Sequence, residues 1–192
     1  MSRFGAIFRE FLRAPNKIGA VAGSSSLLAN NMLDEVDWET ARNIVEYGPG
    51  TGAITRHIVS RLSSGQRFFA VELNDRFVPV LAEHFPEVKV HIGSVGDIRS
   101  ICDAEEMDSV DGIISGLPWT AFNEELQNEL LDAMFSVLSE HGQFITFAYL
   151  HGLPLKSAQR FREVLKQRFG SVSVSPVVWR NLPPAIFYSC RR

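Results

Sequence analysis

Short apolar runs alternate with amphipathic stretches along most of the chain. The runs "NIVEY" (43–47), "RFFAVEL" (67–73), "VKVHI" (88–92), "VDGIIS" (110–115) and "GQFITFAY" (142–149) are rich in Val, Ile and Phe and have the length of strands. Their near-continuous apolarity predicts strands covered on both faces, as in a parallel sheet. Between them, "AITRHIVSRL" (53–62), "DRFVPVLAEHF" (75–85), "NEELQNELLDAMFSVLSEH" (123–141) and "KSAQRFREVLKQRF" (156–169) repeat apolar residues at spacings of three and four, which predicts helices. The alternation predicts an α/β fold with a doubly wound, mostly parallel sheet and right-handed crossovers. At the end of the chain the pattern changes. "SVSVSPVVW" and "AIFYSC" flank "RNLPP" with no helix between them, which predicts an antiparallel hairpin closing one sheet edge.

Two further helices are predicted before the first strand. "SRFGAIFREFLR" sets Phe4, Ile7, Phe8, Phe11 and Leu12 on one stripe, with Arg3, Arg9 and Arg13 elsewhere around the helix. "SSSLLANNMLDEV" offers serine caps ahead of a second, mostly apolar helix. With 192 residues, 45% of them hydrophobic, the chain suits one domain: N-terminal helices over 1–38 and a core over 39–192. A formal net charge of -3 argues against wholesale wrapping of nucleic acid. Cys102 and Cys190, the only cysteines, form no CxxC and have no nearby His pair, so neither a disulfide framework nor a metal site is expected, and a reducing, cytoplasmic setting fits best. No run reaches the roughly 18–20 apolar residues of a membrane span, and the N-terminus lacks the pattern of a signal peptide.

Candidate chemistry begins at "NIVEYGPGTGAITRHI", where Gly48, Gly50 and Gly52 fall in the turn between the first strand and its helix. Glycine there allows a sharp turn and close approach of a ligand to the main chain, and bared helix amides favour a carboxylate or phosphate. A nucleoside-triphosphate loop would need a Lys-Ser/Thr pair, which Thr55-Arg56 does not supply. A dinucleotide loop is nearer, since Gly48, Gly50 and Ala53 meet the relaxed pattern and Glu72 lies about twenty residues on. Glu46 separates the remaining readings. A fixed carboxylate two residues before the first glycine repels a pyrophosphate and suits a ligand with cationic groups.

Glu46, Gly48, Gly50 and Gly52 stand as the first motif of the class I methyltransferases, which this sequence resembles. The resemblance implies a Rossmann-like, seven-stranded fold and S-adenosylmethionine as cofactor. It also implies a glycine loop holding the methionine moiety and an acidic residue, here Glu72 in "AVELN", taking the ribose hydroxyls. Leu73, Val95 and Ser115 join the cofactor-binding set by the same resemblance. For the adenine edge, "GSVGD" leaves two candidates, Ser94 and Asp97.

The stretch "ISGLPW" (114–119) ends the fourth apolar run on a Pro-aromatic pair. Amino-directed methyltransferases resemble one another here, and adenine dimethyltransferases of ribosomal RNA carry Asn-Leu-Pro-Tyr. This chain has Gly116-Leu117-Pro118-Trp119, without the amide, which weakens a base-methylating reading. "FLRAPNKIGAVAGSSSLLA" (11–29), "VEYGPGTG" (45–52), "SGLPW" (115–119) and "WRNLPPA" (179–185) together resemble the bacterial phospholipid N-methyltransferases, which convert phosphatidylethanolamine stepwise to phosphatidylcholine. That resemblance implies a lipid amine acceptor bound at Gly116, Leu117, Pro118 and Arg180, with Arg180 on the phosphodiester. Trp119 and Tyr149 would face the ammonium, and Tyr149 or His151 would relay its proton. It also implies a protein held peripherally at the inner face of the membrane, through Arg3, Phe4, Ile7, Phe8, Arg9, Phe11 and Arg13. Three other readings stay open: a methyltransferase for RNA adenine or a small-molecule amine, a nicotinamide-binding protein, and a cofactor-binding module without catalysis.

Overall fold

The computed structural model describes residues 25–192, so the predicted helix over "SRFGAIFREFLR" and its membrane-contact residues lie outside the described residues. The chain runs α1 (Ser26–Leu33), β1 (Asn43–Tyr47), α2 (Thr55–Val59), β2 (Arg67–Glu72), α3 (Val78–His84), β3 (Lys89–Ile92), α4 (Ile98–Ala104) and β4 (Val110–Ser115). It continues through α5 (Glu124–Phe135), β5 (Leu138–Tyr149), α6 (Lys156–Arg168), β6 (Ser171–Val174) and β7 (Ala185–Arg191). One seven-stranded sheet has the order β3-β2-β1-β4-β5-β7-β6. The first five strands in that order pair in parallel, and β7 is antiparallel to both β5 and β6.

Period-two alternation sends side chains to two apolar layers. Val45 and Tyr47 of β1, with Phe144 and Ala148 of β5, face the layer built on α4, α5 and α6. Ile44 of β1, with Ile145, Phe147 and Tyr149 of β5, faces the layer built on α1 and α2. Ser25 is the serine that caps α1, its side chain accepting from the Leu28 amide. Winding reverses between β1 and β4, so their carboxyl ends open the crevice where open α/β sheets bind ligands.

Three boundaries differ from the sequence expectation. The helix expected over 123–141 stops at Phe135, because the Val110 amide pairs with the Val137 carbonyl and Leu138 already starts β5. Helix α4 falls in "IRSICDA", where Ile98 and Cys102 are its only buried residues and the apolar period is too thin to read. The C-terminal hairpin occupies the expected edge with its second strand inside. β7 is buried at all but its last position, whereas the polar "SVSV" of β6 suits an exposed edge.

Candidate active site

Gly48, Gly50 and Gly52 follow β1 with φ of +69°, +56° and +84°, the left-handed region that side chains disfavour. A Cβ at Gly48 would lie 2.7 Å from Leu117 Cδ2, and one at Gly52 would strike the Phe85 ring. A Cβ built at Gly50 would meet none of the described residues within 4 Å, so this side of the loop is open. The helix that follows is five residues long, shorter than expected, and the amides of the three glycines are already engaged, donating to Val71 O, Glu72 Oε2 and Pro49 O.

Beneath the loop lies Glu46, which is fully buried. Its Oε2 accepts from the Thr55 hydroxyl at 2.7 Å, while Oε1 has no partner among the described residues. Burial pushes its pKa up to about 8, the Thr55 hydrogen bond opposes that shift, and the charge of Glu72 adds to it. Glu72, 4% exposed, accepts from the Gly50 amide at 3.0 Å and the Asn74 amide at 2.8 Å, tying the end of β2 to the glycine loop. Burial raises its pKa as well, against backbone hydrogen bonds from Asn74, Gly50 and Leu73. Burial holds both carboxyls towards their neutral forms, and a ligand carrying positive charge would favour their ionised forms and give the orphaned oxygen a partner.

Ser94 and Asp97 sit on one short turn. The Ser94 hydroxyl accepts from the Gly96 amide at 3.0 Å, Val95 is buried in the core, and Asp97 is exposed. Ile92, 62% exposed and in register with Glu72, adds an apolar surface that the run "VKVHI" did not single out.

The Leu-Pro-Trp segment corrects the reading of Trp119. Its ring is 1% exposed, stacks on Phe161 at 5.3 Å and 13°, and meets Phe144 and Phe122 edge-on. Its Nε1–H donates to the Ser115 hydroxyl at 2.8 Å, and that hydroxyl also accepts from the Leu117 amide at 3.3 Å. Trp119 is therefore a core anchor for the loop, and no face of it is left for an ammonium group. Tyr149, half-buried, belongs to the opposite face of the sheet, stacked on exposed His151 at 5.7 Å, and burial raises the pKa of its hydroxyl. The two aromatics expected to share one site lie on opposite faces.

Gly116 acquires a steric reason. A Cβ there would lie 2.7 Å from the Gly48 carbonyl oxygen, and its amide donates to Tyr47 O at 2.8 Å. Leu117, 6% exposed, packs against Gly48, so the two loops interlock. The Leu117 and Pro118 carbonyls accept from the Trp119 and Ala121 amides, while that of Gly116 takes none of the hydrogen bonds described. Arg180 is exposed beside Trp179 on the loop entering β7, at the same end of the sheet, where the Leu150 amide donates to Pro184 O at 2.8 Å. Sequence reasoning missed Thr55, Gln143 and Asn181, all buried polar residues whose partners are remote in the chain or carry no motif.

No protein-family model matches the chain. Across its whole length, however, it is 30% identical to an ornithine lipid N-methyltransferase of Singulisphaera acidiphila, covering 97% of that protein. The chain belongs to that family of class I S-adenosylmethionine-dependent methyltransferases. A shorter stretch of this methyltransferase, 45% of the chain, is 33% identical to ribosomal RNA small subunit methyltransferase A of Caulobacter vibrioides and covers 33% of that enzyme. Among solved structures, an O-methyltransferase from Bacillus cereus in complex with SAH superposes with a TM-score of 0.69 at 16% identity, over 99% of this chain and 91% of its own. The O-methyltransferase TomG from Streptomyces achromogenes, in complex with SAM, gives 0.62 at 17% over 85% and 78%. These structural likenesses establish the shared fold, and S-adenosylmethionine is the methyl donor of this methyltransferase. Among the described residues, no helix is long and apolar enough to cross a membrane.

Proposed function

We propose that the enzyme transfers methyl groups to the primary amine of a membrane lipid of the phosphatidylethanolamine type. The full-length similarity to a lipid N-methyltransferase carries the reading. In it, Gly48, Gly50 and Gly52 hold the methionine end of the donor, with Glu46 answering its positive charge and Glu72 the ribose. Leu73 and Ile92 offer apolar surface to the adenine, with Val95 backing them from the core, and Ser94 or Asp97 its polar edge. When bound, S-adenosylmethionine supplies a methyl group on a sulfonium, open to in-line displacement.

The acceptor must reach that methyl unprotonated, although an alkylamine titrates near 10.4. Gly116, Leu117 and Pro118 present a main-chain wall against the glycine loop, and the unused Gly116 carbonyl accepts from the amine as it loses its proton. Ser115 positions this wall by gripping Trp119 and Leu117. The stacked Tyr149–His151 pair leads the proton to solvent, and Arg180 answers the phosphodiester. Residues 1–192 act as one domain, held at the cytoplasmic face of the membrane through the basic and aromatic residues of 1–13.

Label from radioactive S-adenosylmethionine should enter the lipid fraction when vesicles contain phosphatidylethanolamine, and comparison with ornithine-lipid vesicles identifies the headgroup. Transfer to unmodified ribosomal RNA with none to either lipid would replace this reading with the base-methylating one, which the shorter match favours.

A further inference from the structure

Large apolar side chains gather, unburied, at the end of the sheet that holds the glycine loop. Trp179 is 68% exposed and Leu182 73%, on the loop that leads into β7. Leu27, 42% exposed, lines one open groove of about 410 Å³ with Trp179 and Arg180. Leu155, 53% exposed, follows the turn after β5 that is bonded to the same loop through Leu150 and Pro184.

Asn181 explains how so apolar a loop stays outside. It is 1% exposed, and its side chain accepts from the Ser25 amide at 2.8 Å and donates to Pro183 O at 2.6 Å. Its own amide donates to Val178 O at 3.2 Å. With Asn181 pinned inward, Trp179, Arg180 and Leu182 are turned to solvent by a fixed backbone. The far end of the groove is acidic, lined by Asp34 and Glu35, with Asp34 paired to Arg61 at 2.7 Å. Trp179 and Arg180 thus lie at one end of the groove, and Asp34 and Glu35 at the other.

We infer that Trp179, Leu182 and Leu27 form a wedge that seats the enzyme on a phospholipid bilayer with the carboxyl ends of its strands toward the headgroups. Tryptophan suits the headgroup layer because its ring is apolar and its N–H polar, and Arg180 lies where it meets phosphate. This placement rests on the lipid reading: a lipid whose chains stay in the bilayer can offer its amine to Gly116 only if the rim of the cleft lies at the interface. The wedge belongs to the described fold.

The test uses the full chain and vesicles of phosphatidylethanolamine and phosphatidylglycerol, read by sedimentation and by quenching of tryptophan emission with brominated acyl chains. The double variant W179S/L182S should bind vesicles at least about tenfold more weakly while keeping its affinity for S-adenosylhomocysteine, which reports an intact fold. Quenching should be strong in the wild type and lost in W179F, since Trp38 and Trp119 are partly or fully buried. Methylation of monomeric dihexanoyl phosphatidylethanolamine should be unchanged in W179S/L182S. Unaltered vesicle binding in the double variant, or equal quenching in W179F, would overturn the wedge. So would loss of a self-associated form in the double variant with vesicle binding intact, which would make the patch a contact between copies. Failure of the lipid reading shows separately, as absence of lipid methylation by the wild type whatever the vesicle results.

Discussion

Glu46 and Trp119 show how far one residue's role depends on what surrounds it. Glu46 has a folded-state pKa of about 8 against 4.5 for the free side chain, so the native state holds the proton more tightly than the unfolded chain. Its contribution to stability is accordingly lost as pH rises from about 4.5 towards 8. In Glu46→Gln that loss disappears, and the melting temperature of the variant should gain on the wild type across this window, as measured by thermal unfolding at several pH values. The same variant should bind S-adenosylhomocysteine at least about tenfold more weakly, since an amide cannot answer an ammonium group; calorimetry would read this directly. Trp119 makes the opposite case. Trp119→Ala should cost about 3–5 kcal/mol in urea unfolding, as expected for a buried ring. Trp119→Phe keeps a ring against Phe161 but loses the Nε1–H that holds Ser115, so it should lower both unfolding stability and turnover, each by less than Trp119→Ala.

At the scale of elements, the decisive contact is between the loops that end β1 and β4. The 2.7 Å between a Gly116 Cβ and the Gly48 carbonyl leaves no room for any other residue. Gly116→Ala should push the loops apart, with a stability loss of about 1–3 kcal/mol and a weaker affinity for S-adenosylhomocysteine. Thermal unfolding and calorimetry on the same sample would check both. The missing amide in "SGLPW" therefore has a steric cause in this fold, besides what it implies about the acceptor. The connection from α1 to β1 is held comparably: buried Gln143 accepts from the Asp37 amide and donates to the Glu35 carbonyl, both at 2.8 Å. Neither contact has a local signature, since Glu35 and Gln143 lie far apart in the chain.

For the whole molecule, the bilayer contact proposed above falls in two places: residues 1–13 from their sequence pattern, and the Trp179–Leu182 rim from its exposure. Deleting residues 1–13 should lower sedimentation with anionic vesicles severalfold, steeply at low salt, because about 1 kcal/mol accompanies each basic residue near such a surface. The affinity for S-adenosylhomocysteine should stay unchanged, since the described cleft is built from residues 46–119.

Local pattern determined the strands, most of the helices, the doubly wound class, the glycine turn and its two carboxylates, because periodicity and positive-φ glycines act within a few residues. It failed at "SVLSEH", where pairing of Val137 with Val110 ends a helix that the apolar period alone would continue. Tertiary structure alone decided which face each side chain takes. Trp119 looked like a site residue by motif and became core because β4 and β5 close over it with α6, while Tyr149, on the same strand as Phe144, emerged on the other face. It likewise decided that Asn181 is buried between exposed Arg180 and exposed Leu182. Burial, orphaned oxygens and close backbone approach depend on segments far apart in sequence, and these contacts exist only once the chain has folded.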